Sequence, residues 1–443
     1  MEALELQRSR ASGNDSRRSS IEGPVLSDHD TIESQLPPAD QGKDAWLFLT
    51  SCFFLEALIW GFAFSFGVFQ DYYSTHEPFA REGKIAIIGT TATGIIYISA
   101  PIVFGLLLSY PHLKRWSCLS GLIIMCLWIG LSSFSRTTSD LILSQGVAYA
   151  VGAGLAYAPT ILFLDEWFVR RKGLAYGIMW AGTGVSGIVL PILMQWLLNS
   201  HGPRTALRTW AVALFICTAP LIYFVKPRLP ISHAFRVKRF DLSFVWNKVF
   251  VVYQVCNIVE ALGFFLPQTY LPSYARIVGA DNVTATLTLV LVNVASVFGC
   301  IVMGTLTDRY HVTTCILICT MGVVLGTFLI WGFSTTIGPL YVFCIVYGFF
   351  AGSFSSTWPG VIRETQKQKR AADLGMVFGF LAAGRGIGNV VSGPLSEVLL
   401  AGNPWRNPAN FAYGSRYGPL IVFTGVTALL GGLSIIARPL KLV

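Results

Sequence analysis

The chain has 443 residues, 53% of them hydrophobic and 12% charged, with a net charge of +9 from 32 Lys and Arg against 23 Asp and Glu. A water-soluble chain carries roughly 25% charged residues to cover its surface, so half that share excludes an ordinary soluble globule and makes lipid the solvent for most of the chain. The nine cysteines have no C-x-x-C spacing, and Cys52, Cys256, Cys300 and Cys319 sit inside apolar runs, so they read as small lipid- or helix-facing residues rather than a disulfide or zinc framework.

In chain order, residues 1–43 come first. They are polar, hold a Pro37-Pro38 pair, lack a signal-peptide pattern and read as a disordered cytosolic tail. Arg17-Arg18-Ser19-Ser20 reads as plain solvated sequence, with a basophilic kinase site as the alternative. Crossing a roughly 30 Å membrane core takes about 20 apolar residues. Such stretches start near Ala45, Ile85, Trp116, Asp140, Gly173, Ala206, Val249, Thr284, Val312, Gly338, Ala371 and Gly418. Lipid leaves backbone groups no outside partner, so runs of this length are helices, and twelve are predicted. Between the sixth and seventh lies a basic, amphipathic connector with Phe235, Val237, Phe240 and Leu242 among its charges, which suits a helix lying on the membrane surface. The expected division is a tail 1–43, a six-helix bundle 44–225, the connector 226–248 and a second six-helix bundle 249–443.

Placing the N-terminus inside puts about 23 of the 32 basic residues in the tail, the alternate loops and the C-terminus, against about 8 in outward segments, which is the positive-inside bias. The inward clusters are Lys114-Arg115, Arg170-Arg171-Lys172, the connector and the stretch from Arg363 to Arg370. The excess charge is thus an orientation signal and a match to anionic inner-leaflet lipid, not a nucleic-acid footprint. Both termini are expected in the cytosol. The plasma membrane is the default location, with a vacuolar or other internal membrane as the alternative.

The two halves superpose. A shift of 204 residues lays Cys52 on Cys256 and Glu56-Ala57-Leu58 on Glu260-Ala261-Leu262. A shift of 200 lays Gly152 on Gly352 and Pro159 on Pro359. A shift of 202 lays Gly173, Gly177, Gly182 and Gly184 on Gly375, Gly379, Gly384 and Gly386. Three helix pairs in the same order, one including a rare intramembrane charge, indicate two pseudo-symmetric six-helix bundles in an all-α membrane protein.

That arrangement resembles the major facilitator superfamily. Gly304-Thr305-Leu306-Thr307-Asp308-Arg309, after the eighth helix, is similar to its cytoplasmic G-x-L-x-D-R motif. The resemblance implies a charge latch between helices at the inner face, giving Asp308, Arg309, Arg170 and Arg171 a gating role. The first-half counterpart keeps Gly105, Leu107 and the basic pair but has Ser109 where an acid is expected. Glu166-Trp167-Phe168-Val169-Arg170-Arg171-Lys172-Gly173-Leu174-Ala175-Tyr176-Gly177 resembles the signature of the monocarboxylate transporter family, whose other signature survives as Asp44-Ala45-Trp46. Gly67 to Tyr73 and Arg385-Gly386-Ile387-Gly388-Asn389 are similar to its fungal branch. Animal lactate carriers of that family use an intramembrane lysine in the first helix and an Asp/Arg pair in the eighth. Phe64, and Ser296 with Cys300, hold those places here, so lactate is not carried over as the substrate.

An ionisable group inside a bilayer helix costs about 2.5–3.5 kcal/mol on insertion scales and so marks function by default. Glu56, Glu260 and Arg385 are three such groups. Each glutamate falls roughly eleven residues into its helix, about 16 Å at 1.5 Å per residue, near mid-membrane. Arg385 is read as the partner of an anionic substrate group, and its first-half counterpart is Thr183. A buried carboxyl can bind and release a proton, so either glutamate can serve as a switch, and proton coupling is one mechanism the sequence leaves open. The competing reading is an Arg385 salt bridge to Glu56 or Glu260 that holds the bundles together. Asn293, Tyr97 and Trp358 are candidate cavity liners, against ordinary helix packing. All six histidines fall in the tail or loops, so no mid-membrane histidine relay is expected.

Gly182-Thr183-Gly184-Val185-Ser186-Gly187 fits G-x-G-x-x-G, but no strand precedes it, so it reads as glycines for close helix approach rather than a dinucleotide site. Asn282-Val283-Thr284 is an outward glycosylation sequon abutting the eighth helix. No catalytic residues, metal site or cofactor are expected, because no metal-ligand cluster, nucleophile–base pair or nucleotide loop is found. The expected function is secondary active transport, by alternating access, of a small organic anion resembling a monocarboxylate. The partners are then that substrate, the bilayer and, if coupled, protons, with no nucleic acid. The alternatives are export of a secondary metabolite, or a nutrient-sensing receptor on the same fold.

Overall fold

In the computed structural model, the described residues are 37–79, 85–229, 242–401 and 411–437. Ten helices among them are long and apolar enough to cross a membrane, and Gly418–Gly431 is a shorter apolar helix. One of the ten, Lys172–Ile222, is two spans in one: Gly202 takes φ 76 and ψ 170 inside it and Pro203 follows. A positive φ suits only glycine there, and the next residue has no N–H to continue the ladder, so the chain turns back. Counting that break and the shorter Gly418–Gly431, the described residues hold twelve apolar helices.

We label them α1 (Lys43–Ser74), α2 (Ile87–Ser109), α3 (Leu113–Ser132), α4 (Thr138–Trp167), α5 (172–201) and α6 (203–222) in the first half. In the second half they are α7 (Lys248–Ile277), α8 (Asn282–Arg309), α9 (Val312–Trp331), α10 (Ile337–Gln368), α11 (Leu374–Ala401) and α12 (Gly418–Gly431). Several begin a few residues away from where their apolar runs do. α3 starts at Leu113 rather than Trp116, and α11 at Leu374 rather than Ala371, because helix ends follow backbone capping, not hydropathy.

These helices are apolar on nearly every side, as lipid-embedded helices are. Ile102, Phe298 and Val398 are 75%, 61% and 72% exposed, a surface that water would not tolerate and acyl chains would. Inside each half, α5 packs on α1, α3 on α4, α11 on α7 and α8 on α10; between halves, α5 runs along α8 and α2 along α11. The α5–α8 seam depends on two glycines. A Cβ on Gly173 would stand 2.3 Å from the Gly304 carbonyl oxygen, and one on Gly304 2.2 Å from that of Gly173.

Several expectations fall wholly or partly outside the described residues. They are the tail up to residue 36, the connector between Leu229 and Leu242 with its Phe235, Val237 and Phe240, and the side chain of the sequon residue Asn282, which opens α8.

A candidate substrate cavity between the two halves

The helix ends around Ser109 and Leu113, Trp167 and Lys172, Arg309 and Val312, and Gln368 and Leu374 share one face, where the basic loop residues gather. A cavity of about 190 Å³ lies between the halves, lined by residues of α1, α2, α4, α5, α7, α8, α10 and α11. Its walls are largely aromatic: Trp60 and Phe64 on α1, Tyr97 and Phe104 on α2, Tyr157 on α4, Trp180 on α5, Phe264 on α7, Trp358 on α10 and Phe378 on α11. Polar groups punctuate them, chiefly Glu56, Thr183, Gln268, Asn293, Ser296 and Arg385. An apolar cavity with a few placed polar groups is the usual make-up of a small-molecule site.

Towards the basic face the cavity is closed by rings. Trp180 and Trp358 meet at 5.8 Å and 82°, Phe378 lies 5.3 Å from Trp358 and 6.2 Å from Trp180, and Phe104 and Tyr176 pack on Phe378. The tight turn Phe354–Thr357 interrupts α10 immediately before Trp358 and so sets where that indole enters the plug. On the α7–α8 side the cavity reaches Gln268 and Thr286, close to the opposite-face start of α8.

Arg385 is 2% exposed, and its Nη1 donates to Glu260 Oε2 at 2.9 Å. The guanidinium also lies 4.0 Å above the Phe264 ring, with Phe265 and Phe354 farther out, so ring faces complete its shell. Of the two glutamates weighed as its partner, Glu260 holds it, and the link is within the second half, between α7 and α11. Two more side chains from successive turns of α7 secure the same pair of helices: Gln254 Nε2 donates to the Phe380 carbonyl at 2.7 Å, and Asn257 Nδ2 to the Leu381 carbonyl at 2.8 Å. Gln254, Asn257 and Glu260 recur every third residue, a polar stripe visible in the sequence once that spacing is sought.

The other candidates fall into place by position. Glu56 lines the cavity, is 2% exposed, and has the Tyr157 side chain facing its carboxyl. Tyr97 and Trp358 line it as well; Tyr97 reaches Arg385, and its ring stands 4.6 Å from that of Trp60. Asn293 lines it from α8 while its Nδ2 donates to the Leu289 carbonyl at 2.9 Å, and Asn389 Nδ2 bridges the other seam to Thr93 Oγ1 at 2.6 Å. Thr183, Phe64, Ser296 and Cys300 are on the wall too.

The latch at the basic face differs from a side-chain charge pair. Asp308 reaches from α8 across the seam and accepts from the Gly173 and Leu174 N–H groups at 2.7 and 2.9 Å, capping the start of α5. A carboxylate there meets both the unpaired N–H groups and the positive end of the helix dipole. Arg309, Arg170 and Arg171 are exposed. In the other seam, where Ser109 replaces the acid, α11 takes its cap from its own loop, Asp373 accepting from Gly375 N–H at 3.0 Å.

Asp40 was not evident from sequence. It accepts from the N–H groups of Val169, Arg170 and Arg171 at 2.9–3.1 Å, while its own N–H donates to the Trp167 carbonyl. It does so at φ 61, a left-handed conformation that Asp tolerates better than most residues. Asp44, the acid singled out by resemblance, is exposed. Removing the Asp40 carboxylate leaves three N–H groups of the α4–α5 loop unpaired. Asp40→Ala is therefore expected to hasten tryptic cleavage at Arg170 and Arg171, measured by timed digestion of detergent-solubilised protein. An unchanged rate would show that the clamp does not hold the loop.

Among the described residues no group of three or more His, Cys, Asp or Glu is placed to hold a metal ion. The sequence profile described as the Major Facilitator Superfamily matches residues 46–373 and 255–439. The chain is 26% identical to MFS transporter asaE of Aspergillus flavus, over 90% of this chain and 87% of that protein. It is 26% identical to agnestins efflux protein AgnL12 of Paecilomyces divaricatus, over 94% and 92%. It is 28% identical to monocarboxylate transporter 13 of Rattus norvegicus, over 82% and 84%.

Proposed function

The chain belongs to the Major Facilitator Superfamily, as a multi-pass membrane transporter of a small molecule, and on that premise we propose that it exports a partly aromatic organic acid of the secondary-metabolite kind. The observation that carries this reading is the cavity wall: rings on most sides, with Arg385 as the cation lining it among the described residues. Rings stack on a flat substrate at little loss of side-chain freedom, and a guanidinium with five donors can engage a carboxylate while one donor serves Glu260. Export agrees with the efflux named in the Paecilomyces relative.

A lactate-sized substrate fits less well. Phe64, Ser296 and Cys300 stand on the wall where the lactate carriers hold charges, so beyond Arg385 an aliphatic acid meets rings on which it has nothing to stack. The basic face is assigned to the cytosol and the plasma membrane is the proposed location, on the strength of the positive-inside bias. The cavity then leans outward with its cytosolic side closed, and alternating access requires the Trp180–Trp358–Phe378 plug to open.

The test is efflux of preloaded hydroxycinnamate, salicylate and lactate from cells making the wild-type chain or none. The two aromatic acids are expected to leave several-fold faster with the chain present, and lactate at the background rate. Lactate leaving fastest, or no difference for any of the three, would overturn the proposed substrate class.

A further inference from the structure

Two polar atoms on the α1 side of the cavity wall have no partner. Glu56 Oε2 and Trp60 Nε1 are closed to solvent and make no hydrogen bond, on residues that are 2% and 3% exposed. Four residues apart, they share one face of α1 with about 5–6 Å between Cβ atoms, an acceptor beside a donor that do not bond each other. Neighbouring groups claim neither. The Trp60 ring packs on Phe64, Tyr97 and Tyr157 through ring contacts alone. Tyr157 faces the Glu56 carboxyl but leaves Oε2 unserved, and its own hydroxyl accepts from Trp180 Nε1 at 3.1 Å. Thr183 Oγ1 donates to the Trp180 carbonyl at 2.6 Å.

The shift of 204 residues that lays Glu56 on Glu260 also lays Trp60 on Phe264. In the second half both places serve Arg385: Glu260 accepts from it at 2.9 Å, and the Phe264 ring lies 4.0 Å from the guanidinium carbon. In the first half Thr183 takes the place of Arg385, and an indole N–H stands where the second half has the edge of a phenyl ring. The two halves therefore offer unlike walls to a ligand lying between them, a guanidinium on one and an unpaired acceptor and donor on the other. Trp358 Nε1 is unpaired as well, but it belongs to the plug and meets water from the basic face whenever the plug parts.

A buried donor or acceptor left unmade is costly, and a ligand that supplies both partners recovers that cost. A ketone or ether oxygen accepts but cannot donate, and an ammonium donates but cannot accept. A hydroxyl does both at one atom. No hydrogen bond fixes the Trp60 ring, so a small turn about its Cα–Cβ bond brings the N–H to such an atom. We propose that Glu56 and Trp60 form a hydroxyl-recognition site on the first-half wall, and that the substrate is an aromatic acid bearing a hydroxyl separated from its carboxylate by the ring. The hydroxyl accepts from Trp60 Nε1 and donates to Glu56 Oε2, while Arg385 holds the carboxylate and the aromatic walls hold the flat body between. The site deepens the aromatic-acid reading above, on which it rests, by naming the second group that the substrate carries.

Binding is measured by isothermal titration on the purified protein in lipid nanodiscs, which needs no turnover. The ligands are 4-hydroxycinnamate and 4-methylcinnamate, alike in carboxylate, ring and length and different in hydroxyl against methyl. The wild-type chain is expected to bind the hydroxy acid at least about tenfold tighter. That preference, read as a ratio within each protein, should shrink to about twofold or less in Trp60→Phe, which keeps a ring and loses the N–H. It should shrink equally in Glu56→Met, which loses the acceptor. Glu56→Gln keeps an amide oxygen at that place and should keep most of the preference, whereas a role for the Glu56 charge alone would lose it. Equal binding of the two acids by the wild-type chain overturns the proposal and leaves the aromatic-acid reading standing. So does a preference that survives Trp60→Phe or Glu56→Met, or one lost in Glu56→Gln. Binding of neither acid overturns the aromatic-acid reading and the hydroxyl site with it.

Discussion

Arg385→Ala is expected to abolish transport and to lower stability by about 3–5 kcal/mol, the loss seen when one member of a buried ion pair is removed and the other charge is left alone. Glu260 would then lose the donor at 2.9 Å, and the Phe264 ring would lose the guanidinium seated 4.0 Å above it. Glu260→Gln keeps the shape and removes the charge, leaving Arg385 with its ring faces, so its loss should be smaller. The pair Arg385→Met with Glu260→Gln replaces both charges by neutral groups of similar volume, and should recover most of the stability without recovering transport. Thermal unfolding of the detergent-solubilised variants, followed by tryptophan emission, measures the first quantity, and efflux measures the second. A double variant that transports as well as the wild-type chain would reduce the ion pair to a fastening between α7 and α11.

Gly304→Val should have an effect of the same order by another route. The Cβ would meet the Gly173 carbonyl oxygen at 2.2 Å, and backbone cannot turn aside as a long side chain can. α5 and α8 must separate at the basic face, and Asp308 then loses its hydrogen bonds to the Gly173 and Leu174 N–H groups. The closed state is destabilised, and a carrier that cannot close one side cannot alternate. Cys300, buried on the cavity wall, reports this directly. In vesicles exposing the basic face, an impermeant thiol reagent should modify Cys300 in Gly304→Val and not in the wild-type chain, as mapped by mass spectrometry. Full transport with Cys300 protected would mean that the seam has more room than its glycines indicate.

Much of this architecture was legible in the sequence, because bilayer thickness and backbone satisfaction leave few solutions for long apolar runs. The runs that start near Gly173 and Ala206 are an example: read as two spans, they are parted in the structure at Gly202-Pro203, inside what is otherwise one continuous helix. Glu56, Glu260 and Arg385 stood out for a similar reason, since charges in an apolar run are rare and expensive. Which glutamate would take the arginine was not legible, because it depends on the rotation of α11 against α7, fixed by Gln254 and Asn257 on carbonyls that no residue pattern specifies. The same holds for the latch. Asp308 was visible as an acid in a motif, but its partners are two main-chain N–H groups on a helix more than a hundred residues away. Asp40 lay still further from view, since a lone acid in a polar segment gives no sign of the loop it caps.

The reading of the cavity as a site for an aromatic acid is tested most directly by comparing a carboxylate with its amide. Efflux of preloaded 4-hydroxycinnamate and of 4-hydroxycinnamamide is followed from cells making the wild-type chain or Arg385→Ala, each checked for equal amounts at the membrane. The two compounds share ring and length and differ in the charge that Arg385 would meet. Efflux of the acid alone is expected, and only with the wild-type chain. Equal efflux of acid and amide, or efflux of the acid undiminished in Arg385→Ala, would contradict it.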